Sequence, residues 1–136
     1  MRPLAMLLVL TAGLACAGDA AREADRPYTG GLAQVHSVAI RVDRSPIRAQ
    51  VLVRGSLPDP CTELEPPRVR RAGSVFEVEL TTRRRFGARC AAVAMPFERR
   101  IPLSLPGGSG AYFVTVNGVS QAFSVSPSLV GGPLLD

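Results

Sequence analysis

From residue 38 onward, apolar and polar side chains alternate with a period of two, and this alternation constrains the fold more than any other feature of the chain. Val38, Ile40 and Val42 are separated by Ala39 and Arg41, and beyond Ser45-Pro46 the residues Ile47, Ala49, Val51 and Val53 are separated by Arg48, Gln50 and Leu52. Successive side chains of a strand point to opposite faces, so such stretches form strands with one buried face. Phe76, Val78 and Leu80 against Glu77 and Glu79 repeat the pattern, as do Ile101, Leu103 and Leu105, and then Tyr112, Val114 and Val116. Asn117-Gly118 predicts a two-residue hairpin to a strand ending at Val125. Residues 68–71 and 75–82 read as a second hairpin around Ala72-Gly73-Ser74. Pro102 lacks a backbone N–H, so its strand is expected at a sheet edge or with a bulge. Residues 55–67 and 83–95, which carry Cys61 and Cys90, show no regular period and read as loops.

No stretch of ten or more residues carries a helical stripe, so the predicted fold is all-β. About seven short strands over roughly 100 residues suggest an immunoglobulin-like antiparallel β-sandwich, with a small β-barrel as the alternative. The chain has no Trp to pack on a disulfide, so "immunoglobulin-like" describes architecture and not descent. A chain of 136 residues with its ends removed supports one core, which excludes two catalytic domains.

The N-terminus predicts export. Met1-Arg2 precede an apolar run over residues 4–15, too short for a membrane span of about 20 residues, and residues 1–15 read as a signal peptide. Two processing routes meet there. Gly13-Leu14-Ala15-Cys16 resembles a bacterial lipobox, in which Cys16 is lipidated; Ala15 fits, while Gly13 and Leu14 depart from the usual residue types. Alternatively, Ala15-Cys16-Ala17 is an ordinary cleavage site and the mature chain starts at Gly18. The lipoprotein reading is favoured, with residues 16–33 as the lipidated Cys and flexible tether, residues 34–126 as the sandwich domain and residues 127–136 as a flexible tail. The expected location is the cell envelope, as an outer-membrane lipoprotein or a periplasmic or secreted protein. In such an oxidising compartment the remaining cysteines, Cys61 and Cys90, read as a disulfide.

From about residue 35 to 125 the sequence resembles a recurrent bacterial envelope domain of small secreted proteins and lipoproteins. The matching motifs are Leu57-Pro58-Asp59-Pro60-Cys61-Thr62, Phe76-Glu77-Val78-Glu79-Leu80, Pro96-Phe97-Glu98 and Gly110-Ala111-Tyr112-Phe113-Val114-Thr115-Val116-Asn117-Gly118. Pro60 stands where that pattern has Gly, and Met95 where it has Val or Tyr. The resemblance implies an exported, disulfide-bridged β-sandwich with no assigned activity.

Chemistry-bearing residues are few. His36 is the single histidine, so a Ser-His-Asp or Cys-His arrangement has one candidate base, and a zinc site at most one imidazole; it reads as a strand histidine. Glu77 and Glu79 are spaced as i and i+2 on one strand face, about 7 Å apart, and read as a solvated face beside arginines. Glu98 is expected to bond a loop backbone or an arginine. Gly107-Gly108-Ser109-Gly110 has no following helix or Lys and makes no phosphate loop. No catalytic residue, metal or cofactor is expected.

All sixteen basic residues are Arg, against eleven acids, for a formal charge of +5. The bridge would draw two loops together, so Arg83, Arg84, Arg85, Arg89, Arg99 and Arg100, with Arg68, Arg70 and Arg71, are candidates for one basic rim. Such a rim would meet phosphates, acidic or sulfated polysaccharide, or anionic lipid head groups. Nucleic acid is not expected, because no aromatic platform interleaves the arginines. The expected function is a non-catalytic binding or structural module with an envelope protein or anionic polymer as partner. The alternatives are an inhibitor that inserts residues 56–65 into a periplasmic or secreted enzyme, and a binder of anionic polysaccharide or lipid head groups through the arginine rim.

Overall fold

The computed structural model describes residues 27–44 and 46–127. The signal segment, Cys16, the first part of the tether and residues 128–136 lie outside the described residues. Ten strands follow one another without a helix among the described residues: β1 (Tyr28–Leu32), β2 (Gln34–Arg44), β3 (Ile47–Leu57), β4 (Thr62–Leu64), β5 (Arg68–Ala72), β6 (Val75–Glu79), β7 (Thr81–Arg85), β8 (Met95–Leu103), β9 (Gly110–Val116) and β10 (Val119–Val125). They form sheets in the orders β2-β3-β8, β10-β9-β6-β5 and β1-β7-β4, none of them closed into a barrel.

Alternation places Ala49, Val51 and Val53 of β3 and Ile101 and Leu103 of β8 on the inner face of the first sheet. Phe76 and Val78 of β6, Tyr112, Val114 and Val116 of β9 and Val125 of β10 form the inner face of the second, and these residues make one core. Tyr112 lies between Phe76 and Phe123, with ring centroids 6.1 Å and 5.3 Å away. β10 packs along β2. Pro102 sits in β8, an edge strand, as its missing donor requires.

Three sequence expectations are corrected. There are ten strands and not about seven, because β1, β4 and β7 build a small third sheet from residues read as tether, as loops and, at Thr81 and Thr82, as the end of the preceding strand. The first described strand, β1, accordingly begins at Tyr28, within the stretch read as tether. β1 has no apolar alternation to betray it: all five residues are exposed, and its ladder to β7 supplies the pairing. Gly30 belongs to that ladder, since a Cβ there would run into the Thr82 carbonyl oxygen. The third correction concerns strand direction, because β6 and β9 pair in parallel, Phe76 opposite Val114 and Val78 opposite Val116. The connection between them passes through β7 and β8 in the other two sheets.

The third sheet is joined to the sandwich at two one-residue corners. Ala33 separates β1 from β2, and Leu80 separates β6 from β7; both are buried. The Ala33 N–H donates to the Leu80 carbonyl at 2.9 Å. Asn117, in the β9–β10 turn with φ of 45°, reaches the same two corners. Its Nδ2 donates to the Ala33 and Leu80 carbonyls, each at 2.8 Å, and its Oδ1 accepts from the Leu80 N–H at 2.9 Å. One side chain thus satisfies backbone groups that no ladder serves at the corners.

Candidate functional site

The bridged end of the third sheet gathers Cys61, Cys90, Arg83, Arg84 and Arg85 from the residues that the sequence singles out. Cys61 and Cys90 form the disulfide, with Cα atoms 6.1 Å apart across 29 positions of sequence. A second tie runs beside it. Asp59 Oδ1 accepts from the Cys61 N–H at 2.9 Å and from Thr62 Oγ1 at 3.1 Å, and its carbonyl accepts from the Thr62 N–H, which makes a side-chain-braced turn. Asp59 Oδ2 accepts from Arg84 Nε at 3.0 Å, and Arg84 Nη2 donates to the Ala88 carbonyl at 2.7 Å in the loop carrying Cys90. The two loops are therefore joined once covalently and once through a partly buried ion pair.

Burial pushes the Asp59 carboxyl upward, but hydrogen bonds from the Cys61 N–H, Arg84 and Thr62, with the Arg84 charge, outweigh it and hold the pKa below its ordinary 3.8. A carboxylate whose pKa is lowered by folding stabilises the fold fully above its unfolded value and loses that contribution as pH falls through the folded one. Melting temperature followed downward from pH 5 is expected to fall less steeply in Asp59→Asn than in the unchanged protein. Equal acid limbs would show that the carboxylate contributes nothing there.

The arginines divide by strand alternation. Arg83 and Arg85 share a face of β7 with Tyr28, which pairs with Arg85, and with Glu63, which pairs with Arg83. Arg84 points the other way, into the loop tie. The Arg83 guanidinium lies 5.6 Å from the Tyr28 ring centroid and donates to Glu63 Oε2 at 3.0 Å. Tyr28, Cys61, Glu63, Arg83 and Arg85 line a groove of about 290 Å³ beside the bridge.

The other candidates divide between the bridged loop and the two larger sheets. Arg89 is exposed in the loop next to Cys90. Arg99 stands on the inner side of β8 opposite Val53, with a buried Nε that has no hydrogen-bond partner among the described residues. Arg100 is on the outer face of the same strand, 3.5 Å from Glu98 Oε1, while Glu98 Oε2 accepts from Arg54 Nε at 3.1 Å. Arg68 and Arg70 are on β5, opposite Glu79 and Glu77. The structure thus brings together Arg83 and Arg85 from the expected rim, and not the whole set.

His36 occupies the irregularity in β2 between Val35 and Ser37, opposite the end of β3. At that level the strands approach closely: a Cβ on Gly55 would meet the Gln34 carbonyl oxygen and come within 2.6 Å of the Phe97 ring. His36 Nε2 is 3.2 Å from Ser56 Oγ, whose hydroxyl donates to Gln34 Oε1 at 3.1 Å. Gln34, Ser56 and His36 thus form a short polar chain on an exposed surface, with no carboxylate bonded to the imidazole among the described residues. Asp59, Cys61 and Cys90 bring possible metal-ligand atoms within 4.8 Å of one another, but both sulfurs are spent in the bridge and the carboxylate holds Arg84. Sequence reasoning misses Tyr28 as a residue of the groove and Asn117 as the residue that bonds the corners. Tyr28 carries no periodic signal, and Asn117 is legible only as a turn residue.

These features define a class: a β-sandwich whose third, smaller sheet carries a disulfide-braced loop end. The chain belongs to the ORF11 beta-sandwich domain family, whose model matches residues 51–125, from the middle of β3 to the end of β10. Comparison with curated proteins and with solved structures finds no match.

Proposed function

We propose that this protein is an exported, lipid-anchored, non-catalytic recognition module that binds an anionic polymer at the bridged end. The observation that carries the reading is the groove where Arg83 and Arg85 share one face with Tyr28, on loops held by the Cys61–Cys90 bridge and the Asp59–Arg84 pair. Two guanidiniums on one strand face, i and i+2, stand about 7 Å apart and match spaced sulfates, phosphates or carboxylates. Glu63 is no obstacle, since its pair with Arg83 is exposed and exchanges partners at little cost. Support for export comes from the apolar run over residues 4–15, with Cys16 at its end as the anchor point. The inhibitor reading has less support, because most of residues 56–65 lie in strands or in the tight Asp59 turn and do not protrude as a loop.

The test compares salt elution from an immobilised sulfated polysaccharide for two double variants that lose the same charge. Arg83→Gln/Arg85→Gln is expected to elute at lower salt than Arg99→Gln/Arg100→Gln. Equal elution of the two variants would overturn the groove as the binding face and reduce the affinity to net charge.

A further inference from the structure

β5 is an outer strand of the four-stranded sheet, and all five of its residues are exposed. An edge strand offers unpaired N–H and C=O groups to another chain, and proteins usually guard such edges. The edge at β8 is guarded by Pro96 and Pro102, and β10 packs along β2. β5 has no proline, and its register with β6 runs without a bulge.

On the side that is already paired, β5 displays its own selectivity. Arg68 stands opposite Glu79, Val69 opposite Val78 and Arg70 opposite Glu77, with Arg68 Nη1 at 3.5 Å from Glu79 Oε1. Its neighbour therefore reads acidic, apolar, acidic. The same three side chains flank the open edge. Val69 points to the core side yet remains 43% exposed at the sheet's rim. Arg70 faces Glu77 in register but has no carboxylate within ion-pair reach among the described residues. Arg68 and Arg70 also line a groove of about 210 Å³ with Leu32, Glu77 and Thr115.

We propose that β5 is a docking edge for an extended acidic–apolar–acidic segment of a partner protein, which adds to the sheet as a further strand. Its two carboxylates lie against Arg68 and Arg70, and the residue between them covers Val69. Ladder hydrogen bonds supply the affinity, and the alternation fixes the register.

The test is a titration of isotope-labelled protein with the capped peptide Ser-Glu-Val-Glu-Val-Glu-Ser, and with a control in which Gln replaces each Glu. Chemical-shift changes and slowed amide exchange are expected at residues 68–72, with the Gln peptide and the Arg68→Gln/Arg70→Gln variant each binding about tenfold more weakly. If the double variant melts early, Arg70→Gln alone, which breaks no ion pair among the described residues, keeps the comparison. Perturbation confined to other strands, no binding at millimolar peptide, or equal affinity for both peptides would overturn the proposal. So would self-association of the unmodified chain that the double variant abolishes, because it would put a second copy on the edge in place of a partner protein.

Discussion

Replacing both bridge cysteines, Cys61→Ser/Cys90→Ser, is expected to cost about 3.6 kcal/mol, the chain entropy returned to the unfolded state when a 29-residue loop is opened. For a domain of this size that corresponds to a melting temperature lower by roughly 15 °C or more. The native loops would stay close, because Asp59, Arg84 and the Ala88 carbonyl still connect them. The loss should therefore appear in denaturant unfolding, while native-state spectra around Thr62 change little. A double variant within about 0.5 kcal/mol of the unchanged protein would mean that the unfolded chain is already compact around this loop. Intact mass of the protein from its native host, before and after reduction, would confirm the bridge and report whether the chain begins at an acylated Cys16.

The second large effect is expected at Asn117. Asn117→Gly keeps the positive φ of the turn and removes only the side chain, so it isolates the three hydrogen bonds to Ala33 and Leu80. At about 1 kcal/mol per bond, and more where a buried group is orphaned, the loss should be about 3 kcal/mol by linear extrapolation in urea. Asn117→Asp sharpens the argument, since it keeps the acceptor for the Leu80 N–H but sets a carboxylate oxygen against two carbonyl oxygens. That variant should be less stable than Asn117→Gly at pH 7 and recover as pH falls, because the fold favours the protonated form of the introduced carboxyl. An Asn117→Asp variant with no acid recovery would show that the turn moves away from the corners and that Asn117 is not clamping them.

Much of the sandwich was legible because its strands are half buried, and half burial writes a period of two into the sequence. β2, β3, β6, β8, β9 and β10 announce themselves through Ile40, Val51, Val78, Ile101, Val114 and Val125, and Pro102 marks an edge. β1, β4 and β7 do not, since Tyr28–Leu32 is wholly exposed and Thr81–Arg85 is a run of Thr and Arg held by backbone ladders. Parallel pairing of β6 with β9 was not legible, because the usual sign of a parallel pair is a helix between its strands, and here two strands make the crossing. The site was readable in its parts and not in its assembly. Composition and compartment pair the two cysteines, but alternation within Arg83-Arg84-Arg85 sends the middle residue to the opposite face, which a run of like charges conceals. The Asp59 turn left a usable sign, an Asp three residues before a Thr among prolines.

The corner at Ala33, Leu80 and Asn117 also bears on the order of events in time. Its longest bond spans 84 positions, from the corner between β1 and β2 to the last hairpin. Loops of that length close late, and chains governed by such distant pairings fold slowly. The β2–β3 hairpin can form from neighbouring residues, but the joint between sheets waits for the turn that carries Asn117. A chain that emerges from its N-terminus onward would therefore remain unfinished until β9 and β10 arrived.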